Sequence, residues 1–306
     1  MAFTAQDVKT LREQTGCGMM DCKKVLQEAD GDLAKAAELL REKGLAAANK
    51  KAGRIASEGM VFAMADEDSG IGAVVEVNSE TDFVAKNESF QQFVKDLAEV
   101  IIREDPADVD ALLAAKLGEG TVQDELQEKI LVIGENLKIR RFARFCGKNC
   151  AYVHGGGTHG VLVLFDASDE VAKKPEFATV SKDIAMHITV FNPPYISRED
   201  VPADVVEKEK EILKAQAMQD EKNKGKPEAI IEKMVAGRVN KFFEENCLLD
   251  QKFVRDDKIT VGQYLAQAEK DLGGPIKVLQ FARFEKGEGL EKKSDDFAAE
   301  VAGMIK

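Results

Sequence analysis

Gly72-Ala73-Val74-Val75-Glu76-Val77-Asn78, followed two residues later by Thr81-Asp82-Phe83-Val84-Ala85-Lys86, is the stretch from which the fold can be read. An apolar, valine-rich run ends in a polar turn, as a strand does. Beyond the turn, Phe90, Phe93, Val94, Leu97 and Ile101 recur at the spacing of one helix face. The same order returns later in the chain. Gly160-Val161-Leu162-Val163-Leu164-Phe165-Asp166 is followed by Ser168-Asp169-Glu170-Val171-Ala172-Lys173, and then by Phe177, Val180, Ile184 and Ile188 at helical spacing. Ahead of each copy lies another strand, Met60-Val61-Phe62-Ala63-Met64 or Cys150-Ala151-Tyr152-Val153, joined to it by a turn. Each copy closes on a similar phrase, Arg141-Phe142-Ala143-Arg144-Phe145 or Gln280-Phe281-Ala282-Arg283-Phe284. This internal repeat predicts an α+β protein with two related core units, each an antiparallel sheet with helices on one face.

Outward from the repeat, residues 4–43 read as three short helices. Thr4 through Asp7 form a capping box, Gly16 stops the first helix, and Asp30-Gly31-Asp32 separates the second from the third. In the third helix Leu33, Ala37 and Leu40 are expected to face inward before Gly44 ends it, and residues 46–54 to form an exposed linker. The second copy carries an insertion, residues 203–222 and 227–246, that reads as an antiparallel helical hairpin around the turn Asn223-Lys224-Gly225-Lys226-Pro227. Val205, Ile212 and Leu213 on one arm are expected to meet Ile231, Met234, Val235, Phe242 and Phe243 on the other. The hairpin is either a self-contained arm or a surface for a partner or for a second copy, as in a homodimer. After a flexible segment at residues 285–289, residues 297–304 read as a short amphipathic helix. The expected division is residues 1–55 for the bundle and linker, 56–146 and 147–284 for the two units, with the hairpin at about 201–248, and 285–306 for the end.

Composition excludes several classes of function. The 43 Lys plus Arg against 55 Asp plus Glu leave a net charge of −12, which opposes approach to phosphate backbones, so nucleic acid is not the expected partner. No apolar run reaches the roughly 18–20 residues that a bilayer demands. The opening residues lack a basic region and apolar stretch, so the expected location is cytoplasmic. Five cysteines without a CxxC pair suggest reduced core residues. No phosphate loop, GxGxxG, HExxH or GxSxG motif is present. His154-Gly155-Gly156-Gly157 echoes an oxyanion-hole segment, but without a nucleophile elbow it reads better as a hairpin turn. With only His154, His159 and His187 in the chain, a histidine-rich metal site is not expected.

The two copies differ at one telling position. Counted back from Val84 and Val171, Phe83 corresponds to Glu170. A core position would bury a carboxylate in the second copy, so the position is expected to be exposed, which leaves an aromatic ring on a turn in the first. Phe83 is then either an anchor for a partner or a staple onto the following helix. Met19-Met20, after the bend Gly16-Cys17-Gly18, either fill the bundle core or offer adaptable thioethers to a partner, with Arg12 and Lys23 on the flanks.

Two long phrases resemble the elongation factor Ts family, the guanine-nucleotide exchange factors of elongation factor Tu. One runs Leu11-Arg12-Glu13-Gln14-Thr15-Gly16-Cys17-Gly18-Met19-Met20-Asp21-Cys22-Lys23 and is similar to the family's ubiquitin-associated-like N-terminal bundle. The other is Glu76-Val77-Asn78-Ser79-Glu80-Thr81-Asp82-Phe83-Val84-Ala85-Lys86. The likeness extends over the chain and is to the long bacterial form. It implies a protein that binds elongation factor Tu and speeds GDP release without bond chemistry, a cofactor or direct nucleotide binding. It further implies that Thr81, Asp82, Phe83 and Val84 disturb the partner's Mg²⁺ site. Arg12, Met19, Met20 and Lys23 would grip its nucleotide-binding domain, with support from Ile133, Gly134 and His154. A non-catalytic adaptor, recruiting one protein by the bundle and another by the hairpin, is the alternative.

Overall fold

The computed structural model describes residues 3–220, 223 and 226–292. It opens with α1 (Ala5–Thr15), α2 (Met19–Glu28) and α3 (Leu33–Lys51). The first copy follows as β1 (Glu58–Asp66), β2 (Ile71–Ser79), α4 (Asp82–Ala85), α5 (Glu88–Glu104), α6 (Val109–Ala114), the short β3 (Lys116–Leu117) and β4 (Gly120–Thr121), α7 (Val122–Ile133) and β5 (Lys138–Cys146). The second is β6 (Lys148–His154), β7 (His159–Ala167), α8 (Asp169–Ala172), α9 (Pro175–Phe191), α10 (Ala203–Gln219), α11 (Glu228–Asn246), β8 (Lys252–Phe253), β9 (Asp256–Thr260), α12 (Val261–Leu272) and β10 (Ile276–Glu285).

The architecture is α+β, as the repeat predicts. β1, β2 and β5 form one antiparallel sheet with β2 central; β6, β7 and β10 form the other with β7 central. Alternation along each strand sorts the side chains between two layers. In β2, Ala73, Val75 and Val77 pack under α5 and α7 with Phe90, Phe93, Leu97 and Ile101; in β7, Val161, Val163 and Phe165 pack under α9 and α12 with Ile184 and Ile188. Fully burying each such side chain contributes about 1.5–3 kcal/mol. The opposite faces meet one another: Val61, Ala63, Val74 and Phe145 of the first sheet close on Leu162, Leu164 and Phe284 of the second. The molecule thus has two sheets face to face, with helices outside both, a pairing the sequence reading did not foresee.

The duplication runs further than the quoted phrases. The β3–β4 ribbon and α7 match β8–β9 and α12: Thr121 and Thr260 each open their helix with a capping box, and Gly134 and Gly273 each close it in the left-handed region. β5 and β10 each carry a bulge at the same place, with Arg140 and Leu279 as the extra residues. The repeated Phe-Ala-Arg-Phe has a physical reason. Arg144 donates to the Ile102 carbonyl at 3.1 Å and Arg283 to that of Thr189 at 3.3 Å, so each arginine serves the negative end of its copy's long helix.

Three expectations are corrected. The linker assigned to residues 46–54 is helical through Lys51, because Ala46-Ala47-Ala48 favours helix and α3 is docked along α7. Gly44 lies inside that helix on the side that faces α7, where a Cβ would stand 3.4 Å from the Gln127 carbonyl oxygen, in contact with it. Arg41 pairs with Asp124, Lys51 donates to the Ile130 carbonyl at 3.1 Å, and Leu131 packs on the bundle core. In the hairpin the seam is Val206, Leu213 and Ala217 against Ile231, Val235, Val239 and Phe243, and Ile212 is exposed. The segment at 285–289 is held down: the Gly287 amide and the arginines of β5 converge on Glu76 and Glu288, and Lys286 pairs with Glu58. In the bundle, Leu40 is buried and Leu33 and Ala37 are half-buried against the core, as expected, and Ala36 is fully buried beside them. Residues 224 and 225 of the expected hairpin turn, and the expected helix at 297–304, lie outside the described residues.

Candidate functional site

β2 ends at Ser79, and the chain turns at once into the single helical turn of α4. Neighbouring residues of a helix point about 100° apart, so burying Val84 in the first core (5% exposed) drives Phe83 outward. The Phe83 ring is 75% exposed, the largest fraction among the exposed large apolar side chains described. The staple reading of Phe83 is therefore not what the fold adopts. Its corresponding residue Glu170 is exposed as well, as the two-copy argument requires. Lys86 stands 5.5 Å from the ring centroid and pairs with Asp82 at 3.2 Å. Both groups are exposed, so these contacts steer the side chains more than they stabilise the turn.

What holds the turn lies one loop away. α7 ends at Ile133, and Gly134, at φ +86°, reverses the chain. The next residue, Glu135, accepts from the amides of Glu80 and Thr81, both at 3.0 Å, and from the Thr81 hydroxyl at 2.6 Å. Asn136 answers from the other side: its amide donates to Glu80 at 2.7 Å, and its side chain donates to the Arg54 carbonyl at 2.8 Å. Arg54 in turn pairs with Glu80 at 3.3 Å. Residues 80–81 and 135–136 thus clamp one another, and bonds to an ionised carboxylate are the strong kind. Glu80, Glu135 and Asn136 were missed by sequence reasoning. The available signal was a polar pair directly behind the helix-closing Gly134, which alone does not tell a clamp from a solvated loop.

The bundle reaches the same place. The bend after α1 brings Gly16 to α7: a Cβ there would touch the Val132 methyl groups at 3.9 Å. Cys17 and Cys22 are buried, and burial pushes both thiols up. Met19 and Met20, at the start of α2, are 59% and 62% exposed, so neither fills the core. Arg12 and Lys23 are exposed and form no ion pair with a described residue. Val132 is exposed between the methionines' bend and Gly134.

His154 sits at the tip of the β6–β7 hairpin, its Nδ1 3.0 Å from the Tyr152 hydroxyl. The Gly157 and Thr158 amides both turn back on the His154 carbonyl, so the glycine segment is the turn of a β-hairpin. Val61 donates to the Gly157 carbonyl at 2.8 Å, and β1 pairs Glu58 with Ser79, the residue from which the Phe83 turn springs. The hairpin tip and the Phe83 turn are therefore at one end of the paired sheets. His159, behind the tip, pairs with Glu285 at 3.4 Å, while burial and the nearby Arg283 hold its pKa down. The Thr81–Val84 turn, the Ile133–Gly134 loop and the His154 tip lie at this end, and the bend that precedes Met19 and Met20 approaches it through Val132.

Among the described residues no three or more His, Cys, Asp or Glu side chains gather as a metal would require, and no helix is long and apolar enough to cross a membrane. The family described as Elongation factor TS matches residues 80–288, from the clamp to the glutamate that the β5 arginines bind. The chain is 51% identical over 310 residues to Elongation factor Ts of Trichlorobacter lovleyi, covering 99% of this chain and 98% of the relative. It is 50% identical over 306 residues to that of Clostridium perfringens strain SM101, and 49% over 307 to that of Clostridioides difficile, with 99% of each chain covered. The chain belongs to the elongation factor Ts family. In this member of the elongation factor Ts family the Phe83 turn, the Gly134 loop and the bundle bend are tied together by hydrogen bonds and packing around the end of α7.

Proposed function

We propose that this protein is the guanine-nucleotide exchange factor of elongation factor Tu, acting in the cytoplasm on the GDP-bound form. The observation that carries the reading is Phe83, an aromatic ring held out into solvent on a turn whose backbone is clamped. A bare ring forgoes about 1.5–3 kcal/mol of burial in the free protein, and that free energy is recovered when a partner covers it.

The partner holds GDP by backbone amides around the phosphates and by Mg²⁺. Phe83 enters between side chains beside that metal, with Asp82 at the same edge, and Thr81 and Val84 fix the turn from behind. Displaced elements release the metal and phosphate contacts, and GDP leaves. Met19 and Met20 adapt to the nucleotide-binding domain, Arg12 and Lys23 pair with its acidic groups, and Ile133, Gly134 and His154 extend the contact. No bond is made or broken, and the protein itself needs no cofactor. Linkage closes the cycle: if this protein weakens GDP binding by some factor, nucleotide weakens its own binding by the same factor, so incoming GTP displaces it.

Labelled GDP in a stopped-flow mixer tests the proposal. Phe83→Ala should leave the fold intact and slow the release promoted at saturation by about 30-fold, the equivalent of about 2 kcal/mol for one aromatic anchor. Release at the unmutated rate would reject the role given to the ring.

A further inference from the structure

The two copies build the same turn differently. In the second, the Ser168 hydroxyl caps α8, accepting from the Val171 amide at 3.3 Å. In the first, Thr81 occupies the equivalent place but makes no such bond; its hydroxyl is given to Glu135. The residue that follows the helix-closing glycine explains the choice. It is Glu135 after Gly134 in the first copy and Gly274 after Gly273 in the second, and a Cβ on Gly274 would meet Val171 at 2.8 Å. The second copy therefore packs this loop directly on its turn, whereas the first inserts a carboxylate. α4 is one turn long, and its ring touches no core, so the direction of Phe83 follows from the backbone at residues 80–81.

We propose that Glu135 is the positioning residue of the Phe83 turn, orienting the ring for nucleotide release through its three hydrogen bonds to Glu80 and Thr81. The inference rests on the exchange reading above. It gives the Ile133–Gly134 loop a second role, because contact there bears directly on the group that aims Phe83. Preorganisation of this kind acts on the rate of the assembled complex more than on its formation, because misplacing a wedge by about 1 Å weakens only the step that needs it.

The test follows GDP release from GDP-loaded elongation factor Tu as a function of exchange-factor concentration. The proteins compared are the unmutated chain, Phe83→Ala, Glu135→Ala, Glu135→Gln and the Phe83→Ala/Glu135→Ala double variant. Glu135→Ala should lower the saturating rate about tenfold while the half-saturating concentration stays within about twofold. Glu135→Gln should recover most of the rate, because its carbonyl can accept both amides and its NH₂ can donate to the Thr81 oxygen. In the Phe83→Ala background, loss of Glu135 should add less than about a twofold effect, as expected if it acts only through the ring. A saturating rate for Glu135→Ala equal to the unmutated one, or effects that multiply in the double variant, would overturn the proposal. Should Glu135→Ala fail to fold, Thr81→Val removes the hydroxyl bond alone, and a slower saturating rate abolished by Phe83→Ala is expected; an unchanged rate overturns it. No acceleration by the unmutated protein would sink the exchange reading instead, and this inference with it.

Discussion

The first and second copies share strands, bulges, capping boxes and the arginine that serves the long helix, yet they spend polar groups in opposite ways. At the inter-sheet face of β2 the first copy has Glu76, fully buried, where β7 has Leu164. Glu76 binds Arg140 at 3.0 Å and Arg141 at 2.6 Å, and also accepts from Asn78 and from the Gly287 amide. The second copy fills its place with hydrocarbon, and its bulge residue Leu279 is left in solvent. In the second copy the buried polar groups lie on the helix side instead: His187, Asp183 and Gln251. One fold has thus been fixed by two polar arrangements. The Glu76 arrangement in the first copy fastens residues 285–288, while the separate Glu135 clamp holds the turn that carries Phe83.

The largest effect should come from removing the hub of that arrangement. Glu76→Ala leaves Arg140 without its carboxylate partner and Arg141 with Glu288 alone. Breaking a buried pair in this way costs about 3–5 kcal/mol, and the arginines' partial access to water sets the cost near the lower end. Urea unfolding would register this as a lower midpoint, and Leu164→Ala in the second copy gives the like-for-like apolar control. A midpoint unmoved by Glu76→Ala would mean that the network is ornamental to stability.

A smaller, pH-dependent effect belongs to the second copy alone. His187 is buried, its Nδ1 accepts from the Val254 amide at 3.2 Å, and its Nε2 therefore carries the proton it donates to Gln251 at 2.9 Å. Phe191 stacks on it at 4.6 Å. Burial holds its pKa below the ordinary histidine value, opposed only by the Gln251 bond. The folded state keeps the ring neutral at a pH where the unfolded chain takes up a proton. The contribution to stability is therefore full above about pH 6.5 and is lost as pH falls toward the folded pKa, by up to about 1.4 kcal/mol per pH unit. Comparing melting temperatures of His187→Gln and the unmutated protein from pH 7.5 to 5.5 checks this: the variant should show a shallower decline, and parallel curves would remove His187 as its source.

How far all this was legible in the sequence depends on the kind of signal. Strands and long helices were read from periodicity, because a half-buried face writes its pattern locally; Phe90 to Ile101 and Phe177 to Ile188 fall where they were expected. The exposure of Phe83 was legible because a second copy put a glutamate there. The sheet-to-sheet face was not, since Val74 and Leu162 look like any strand residues until two sheets meet. Gly44 misled, because a glycine that ends a helix and one inside a helix that faces a neighbour are the same letter. Glu76 could have been found: a carboxylate inside Val74-Val75-Glu76-Val77 must be paired if the strand is central, and Arg140-Arg141 were available. Glu135 lies 54 residues from Thr81, and nothing local links them.

The smallest effect separates the twin turns themselves. Ser168→Ala removes the cap of α8, whose loss elsewhere costs about 0.5–2 kcal/mol; at an exposed one-turn helix the lower figure applies. The variant should melt slightly lower and promote GDP release at the unmutated rate, because the second turn presents Glu170 rather than a ring. Thr81 shows the opposite balance: its hydroxyl caps nothing, so its loss removes little helix stability but releases one of the three bonds that set the first turn. If Ser168→Ala slowed GDP release as much as Thr81→Val, the two turns would be equivalent in function, and the asymmetry between Glu135 and Gly274 would have no bearing on exchange.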